Sequence, residues 1–295
     1  MSSIHKIERG GFILKIGFIG AGKVASALGK YFTDKHLQLV GYYNHHLDAA
    51  IWAADYTNSH YFASMQELVA QCDIIFLAVT DHAIADVWHR LRQLPLKDKH
   101  ICHLSGALSS AVFDDIRTHQ AYGYSVHPLY AFHAKEMDTS TFSGIHLTIE
   151  GDSEHLKQVC TLFTSLGHPV ATISAENKVQ YHAASVMASN LVIGLANMAQ
   201  SLFQQSGLDE QFSQRVWHQL FLNNAKNMCE VGLSHALTGP LERGDWLTIK
   251  KHLACLGADE KCVYTHLSLA LLGLAKQKNP TRDYQLIEQE LLNEK

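Results

Sequence analysis

Apolar and polar positions change their period near residue 175. Before it, short runs rich in β-branched and aromatic residues alternate with stretches whose apolar positions recur every three or four residues. That alternation predicts strands joined by crossover helices. The predicted strands are residues 14–19, 38–43, 74–79, 100–104 and 123–126. Helical patterns lie between them at 24–31, 65–71, 83–91 and 111–118. Two more strand-like runs, 144–151 and 168–174, flank a helical pattern at 154–166 and extend the same sheet. After Ser174 no strand pattern returns. Residues 176–208 read as one long helix ended by Gly207, built mostly from alanine, leucine, methionine and small polar residues that favour close packing. Further helices are predicted at 209–232 and 260–278. The chain is thus expected to be α/β, a doubly wound, mostly parallel sheet over residues 1–174 followed by an all-helical domain over 175–295.

The first strand leads straight into Gly20-Ala21-Gly22-Lys23-Val24-Ala25 and then into a helix. This is a G-x-G-x-x-A fingerprint in the strand–turn–helix setting that a dinucleotide needs. The first glycine allows the tight turn, the second lets a pyrophosphate approach the backbone, and the small Ala25 permits close helix–strand packing. The helix N-terminus then offers unpaired N–H groups and a partial positive charge. Gly20, Ala21, Gly22, Lys23 and Val24 are therefore assigned to cofactor binding. The ribose is read at the end of the second strand, where the sequence is Tyr43-Asn44-His45-His46 with no carboxylate before Asp48. An acid there would bind the 2′-hydroxyl of NAD. Asn44, His45 and His46 instead tolerate a 2′-phosphate, so NADP is favoured over NAD. Ala78, Val79 and Thr80 end a central strand and are placed beside the nicotinamide ribose, and Asp81 is read as the N-cap of the next helix.

Substrate chemistry is expected at the carboxyl edge of the sheet. Ser105, in HLSGAL, either holds a substrate carboxylate or carbonyl or caps the helix that follows. His127, in SVHPLYAF, stands at a strand end before Pro128, a place suited to acid–base work or to a structural turn. Lys178, His182, Ser185 and Ser189 follow at i, i+4, i+7 and i+11 and so share one face of the long helix. Lys178 or His182 would protonate a developing alkoxide or amide anion, while Tyr181 and Asn190 lie on other faces. Ser105, His127, Lys178 and His182 form the catalytic set. In LTGPLERGDW, Gly239-Pro240 breaks a helix, Asp245 caps the next, and Arg243 either reaches an anion or lies in a plain turn.

Composition narrows the partners. The chain has 295 residues, 47% apolar, with a net charge of −4 and no basic stripe, so nucleic acid is not expected. The N-terminal MSSIHKIERGGF contains no apolar signal core and no run of 18 apolar residues follows, which favours a soluble cytoplasmic protein without a membrane partner. The six cysteines are spread without a CxxC, so no disulfide is expected. Twenty histidines invite a zinc reading, but none is grouped with carboxylates or thiols at ligand spacing, and no metal is expected.

GAGKVA after the first strand, HxSGAL, SVHPL, KxxYHAA at the helix start and ALTGPxxRGD together resemble a bacterial family that pairs a Rossmann-like NADP-binding domain with a helical domain of unknown function. More distantly the chain resembles pyrroline-5-carboxylate reductase and the 3-hydroxyisobutyrate and 6-phosphogluconate dehydrogenases. The resemblance implies an NADP-dependent oxidoreductase acting on a small carbonyl, hydroxy acid or imine. It matches Ser105-Gly106 to a serine–glycine pair of the hydroxyacid dehydrogenases and Lys178 to their helix lysine, whereas His182 stands where they carry asparagine. It also implies a homodimer through the helical domain. The competing reading is a non-catalytic NADP-binding sensor or regulatory protein.

Overall fold

The computed structural model describes residues 8–9 and 12–295. The apolar runs of the first half pair into one eight-stranded sheet. Its strands are β1 (Lys15–Ile19), β2 (Gln38–Tyr43), β3 (His60–Phe62), β4 (Ile74–Leu77), β5 (His100–His103), β6 (Tyr122–Pro128), β7 (Leu147–Gly151) and β8 (Val170–Thr172). Their order across the sheet is 8-7-6-5-4-1-2-3. Every pairing is parallel except β6 with β7. Helices α1 (Lys23–Asp34), α2 (Leu47–Thr57), α3 (Met65–Gln71), α4 (Asp81–Leu91) and α5 (Leu156–Thr164) complete the crossovers. Two apolar clusters form, one around Phe18, Phe32, Tyr42 and Phe76 and one around Leu68, Ile75, Trp88 and Ile101. They contain alternate residues of β1, β4 and β5, as a strand with opposite-facing side chains dictates.

Several elements differ from the expectation. α2 and β3 occupy a stretch in which no element was predicted; α2 is short and alanine-rich, and His60 and Tyr61 of the three-residue edge strand β3 are exposed. The helix expected at 111–118 is two 3₁₀ turns, Ser110–Val112 and Ile116–His119. Phe113, just after the first turn, and Ile116, at the start of the second, are both buried. Asp81 is the first residue of α4, with Thr80 as the N-cap, so its carboxylate is not a cap.

The long helix predicted at 176–208 is interrupted. α6 spans Lys178–Ala188 and α7 spans Asn190–Gln205, with Ser189 between them at φ −129° and ψ −79°. Ser189 Oγ bonds Asn190 Oδ1 at 3.1 Å. Adjacent Ser and Asn side chains compete with the helical backbone for hydrogen bonds, which is where such a break is cheapest. Contacts divide the chain at the same point, into one compact unit ending at Ala188 and a second, Ser189–Lys295. α6 therefore belongs to the first unit, fourteen residues beyond the division expected after residue 174.

The second unit is helical throughout: α7, α8 (Glu210–Val231), α9 (Leu233–Ala236), α10 (Pro240–Arg243), α11 (Trp246–Cys255), α12 (Ala258–Lys278) and α13 (Gln285–Asn293). Asp209 and Asp245 cap α8 and α11 by accepting from Phe212 N and Thr248 N. The unit's core lies among α10–α13, around Leu241, Ile249, Leu253, Leu272 and Ile287. Among the described residues, one helical segment, 175–205, is long and apolar enough to cross a membrane, with a mean hydropathy of 1.3.

Candidate active site

The turn after β1 is held by two backbone hydrogen bonds, Gly20 N to the Tyr43 carbonyl and Ala78 N to the Ile19 carbonyl, both 2.8 Å. They place the start of α1 where strand order reverses between β1 and β4, the crevice in which open α/β sheets bind ligands. Gly20 has φ +109°, and a Cβ there would fall on the Ala78 carbonyl. Gly22 is different: a Cβ there would meet nothing within 4 Å, so open space faces its backbone. Gly22 is also the N-cap of α1 and gives no side-chain hydrogen bond, and no acidic residue lies in the first turn. The helix thus begins with uncapped N–H groups beside open space, with Gly22 and Lys23 exposed. This arrangement fits a diphosphate. At the end of β2, Asn44 Nδ2 donates to the His46 carbonyl at 3.0 Å, and the exposed His45 and His46 rings lie 3.9 Å apart. Ala78 and Val79 are half-buried, and Thr80 is exposed with its hydroxyl 3.2 Å from His82 Nε2.

The neighbouring strand ends carry a polar network. Ser105 follows β5, and its hydroxyl donates to Asp81 Oδ2 at 2.7 Å while accepting from Ala107 N and Leu108 N at 3.2 and 3.0 Å. The capping role considered for Ser105 is thus real, but it holds the turn 105–108 rather than a helix. Below it, His103 bridges Ser105 N and the Ser109 carbonyl. Burial pushes the His103 pKa down to about 4, so the ring is neutral.

Lys178 opens α6 and is 1% exposed. Its ammonium donates to Ser125 Oγ at 2.7 Å and to the Ser105 carbonyl at 3.2 Å. Burial lowers its pKa to about 8, opposed by the charges of Glu150 and Asp81. Glu150 is itself tied to Ser110 through the backbone N at 2.7 Å and the hydroxyl at 2.6 Å. Lys178 therefore pins the loop after β5 to β6 and is enclosed by the groups it binds.

One turn further along α6, the Tyr181 hydroxyl is hydrogen-bonded to His127 Nδ1 at 2.7 Å. Burial lowers the His127 pKa to about 4, helped by Lys178 and His182, and raises that of Tyr181. His182 stands 6.0 Å from His127 between ring centroids, and its Nδ1 is buried without a hydrogen-bond partner. Gly106 makes the room: a Cβ there would overlap His182 Nδ1 and come within 2.9 Å of His127 Nε2.

The structure thus brings together Ser105, His127, Lys178 and His182, all within the first unit. Ser189 lies beyond the break and outside α6. Sequence reasoning ranked Tyr181 low, did not single out Ser125, and named Gly106 only as the second half of a serine–glycine pair. Two signals were present: Ser125 and His127 are alternate residues of one strand and so share a face, and Tyr181 lies three residues after Lys178, close to the same helical face. Arg243 ends the short α10 in the second unit, where the Asp245 carboxylate is held low by Thr248 first and by Arg243 more weakly. Among the described residues, no three His, Cys, Asp or Glu side chains group to hold a metal ion.

Residues 15–103 match the family model described as NADP oxidoreductase coenzyme F420-dependent. Residues 145–271 match a domain of unknown function, DUF2520. No curated protein matches the sequence. Among solved structures, a Bacteroides fragilis protein provisionally named an NADP oxidoreductase superposes with a TM-score of 0.69 at 23% identity, covering 88% of this chain and 98% of its own. A pyrroline carboxylate reductase from Plasmodium falciparum with NADP bound gives 0.59 at 18%, covering 90% and 96%. An imine reductase from Myxococcus stipitatus in complex with NADP+ gives 0.57 at 17%, covering 89% and 93%. At these identities the likeness is one of fold.

Proposed function

We propose that this chain, an NADP oxidoreductase-type domain continued by a DUF2520 domain, is an NADP-dependent oxidoreductase acting on a small carbonyl, hydroxy acid or imine. One observation carries the reading: the uncapped start of α1, facing open space at Gly22, stands at the same sheet edge as the His127–His182 pair. Gly20, Ala21, Gly22, Lys23 and Val24 would hold the diphosphate through backbone N–H groups. Asn44, His45 and His46 would accept a 2′-phosphate, since the exposed end of β2 offers two imidazoles and no carboxylate. Ala78, Val79 and Thr80 would flank the nicotinamide ribose. Bound nicotinamide supplies the hydride chemistry. On the protein side, His127 would orient the polar atom of the substrate and His182 would protonate it. Ser105 and Lys178 would keep the loop 103–108 in place.

Two measurements test this. Calorimetry should detect NADPH binding at least tenfold tighter than NADH, and a panel of small aldehydes, 2-oxo acids and cyclic imines should include one that consumes NADPH absorbance. Absence of heat with either coenzyme would refute the assignment. The alternative, a non-catalytic NADP sensor, draws support from the enclosure of Lys178, which gives up two of its hydrogens to the fold. It would be preferred if NADPH bound tightly and no compound turned over.

The partner of the second unit is proposed to be another copy of the chain. α7 contains no buried residue and α8 only Ser213, although Leu191, Ile193, Leu195, Leu220, Phe221 and Leu222 are large and exposed. A groove of about 650 Å³ lies along α8, lined by Leu220, Met228, Leu233 and Leu271. So much apolar surface on two helices marks an interaction face.

A further inference from the structure

α6 meets β6 in two rungs. Ser125 and His127 are alternate residues of β6 and therefore face the same way, while Lys178 and Tyr181 are three apart on α6. The first rung is Lys178 Nζ to Ser125 Oγ and the second is Tyr181 Oη to His127 Nδ1, each 2.7 Å. The first rung fixes where α6 sits on the strand, so the second is held by packing rather than by a free rotor. The two rings stand edge to face, 5.6 Å between centroids at 87°.

Only one nitrogen of His127 is left for a ligand. Nδ1 is taken by Tyr181, whereas Nε2 packs beside Gly106, where a Cβ would come within 2.9 Å of it and would also overlap the unpartnered Nδ1 of His182. A neutral imidazole carries one proton, on one nitrogen or the other. A hydroxyl donating to Nδ1 forces that proton onto Nε2, because the lone pair on Nδ1 is then in use.

We propose that Tyr181 is a positioning residue that donates its hydroxyl proton to His127 Nδ1, fixing His127 as the Nε2–H form so that this N–H donates to the carbonyl oxygen of the substrate. The inference rests on the oxidoreductase reading above and narrows it. A fixed N–H donor selects an acceptor atom, so the reducible group is a carbonyl rather than a protonated imine, whose N–H would face another N–H. Tyr181 itself touches no substrate; it acts through His127.

The test needs no substrate. Protein labelled with ¹⁵N-histidine is examined by two-bond ¹H–¹⁵N correlation near pH 7, with the His127 signals identified by their loss in His127→Gln. The expected result is an Nε2–H pattern for His127, converting in Tyr181→Phe to a mixture with substantial Nδ1–H. In that variant the ring should also titrate at higher pH than in the wild type, since a donor on Nδ1 opposes its protonation. NADPH affinity of Tyr181→Phe should stay within twofold of wild type. An Nδ1–H or doubly protonated ring in the wild type overturns the proposal, even if Tyr181→Phe does not fold. So does a spectrum that Tyr181→Phe leaves unchanged. If the wild type shows the Nε2–H form but binds no coenzyme, the positioning role stands and the oxidoreductase reading falls.

Discussion

His103 and His127 are held neutral by burial, and that state has a measurable cost in acid. Both have folded-state pKa values lowered to about 4 from an ordinary value near 6.5. Between those two values the unfolded chain binds protons that the folded one refuses, so stability rises with pH across that window and falls as pH drops through it. Each ring contributes a slope of about 1.4 kcal/mol per pH unit there. Urea midpoints measured from pH 4 to 7 should show the decline, and His127→Gln should flatten it by its own share. Lys178 is a second test at this scale. Replacing it with Met removes the donor for Ser125 Oγ and the Ser105 carbonyl and leaves Asp81 and Glu150 without their nearby cation. A loss of about 2–4 kcal/mol is expected from denaturant unfolding, because Ser105, Ser125 and Glu150, left behind, are buried.

At the scale of the element, the two glycines of the first βα turn do different work and should fail differently. Gly20 sits in the left-handed region with no room for a Cβ. Gly20→Ala should destabilise the fold by about 1–3 kcal/mol, visible as a lower melting temperature without coenzyme. Gly22 has open space in front of it, so Gly22→Ala should melt within a degree of wild type. Its Cβ would nonetheless enter the volume assigned to the diphosphate, and NADPH affinity should fall at least tenfold by calorimetry. Loss of affinity without loss of stability is the pattern that separates a ligand cradle from a tight turn.

For the whole molecule the exposed faces of α7 and α8 set the expectation. Ile193 is 71% exposed and Leu222 64% exposed. Substitution of residues this open normally changes monomer stability by less than about 0.5 kcal/mol. The double variant Ile193→Asp/Leu222→Asp should therefore stay folded but run as a monomer in light scattering, whereas the wild type is expected to run as a dimer. A wild-type monomer, or a dimer indifferent to both charges, would remove the interface from these helices.

The sequence by itself determined the strand–glycine–helix unit, the parallel sheet and the helical second half, because each rests on neighbours within a few residues: a buried run, a turn without side chains, a 3.6-residue period. It also supplied the glycine turn proposed to hold the cofactor and four residues that meet at the sheet edge. Tertiary structure decided how those four are used. Whether Lys178 faces a ligand or a carbonyl depends on where α6 lands on β6, more than fifty residues away in the chain, and no local pattern encodes that register. The same docking promoted Tyr181 from a neighbouring position to the partner of His127 and gave Gly106 its purpose. The break at Ser189 was hard to see for a related reason: apolar and small residues continue across it without a change of period, and although the adjacent Ser189 and Asn190 make a break cheap there, packing ends the first unit at that point.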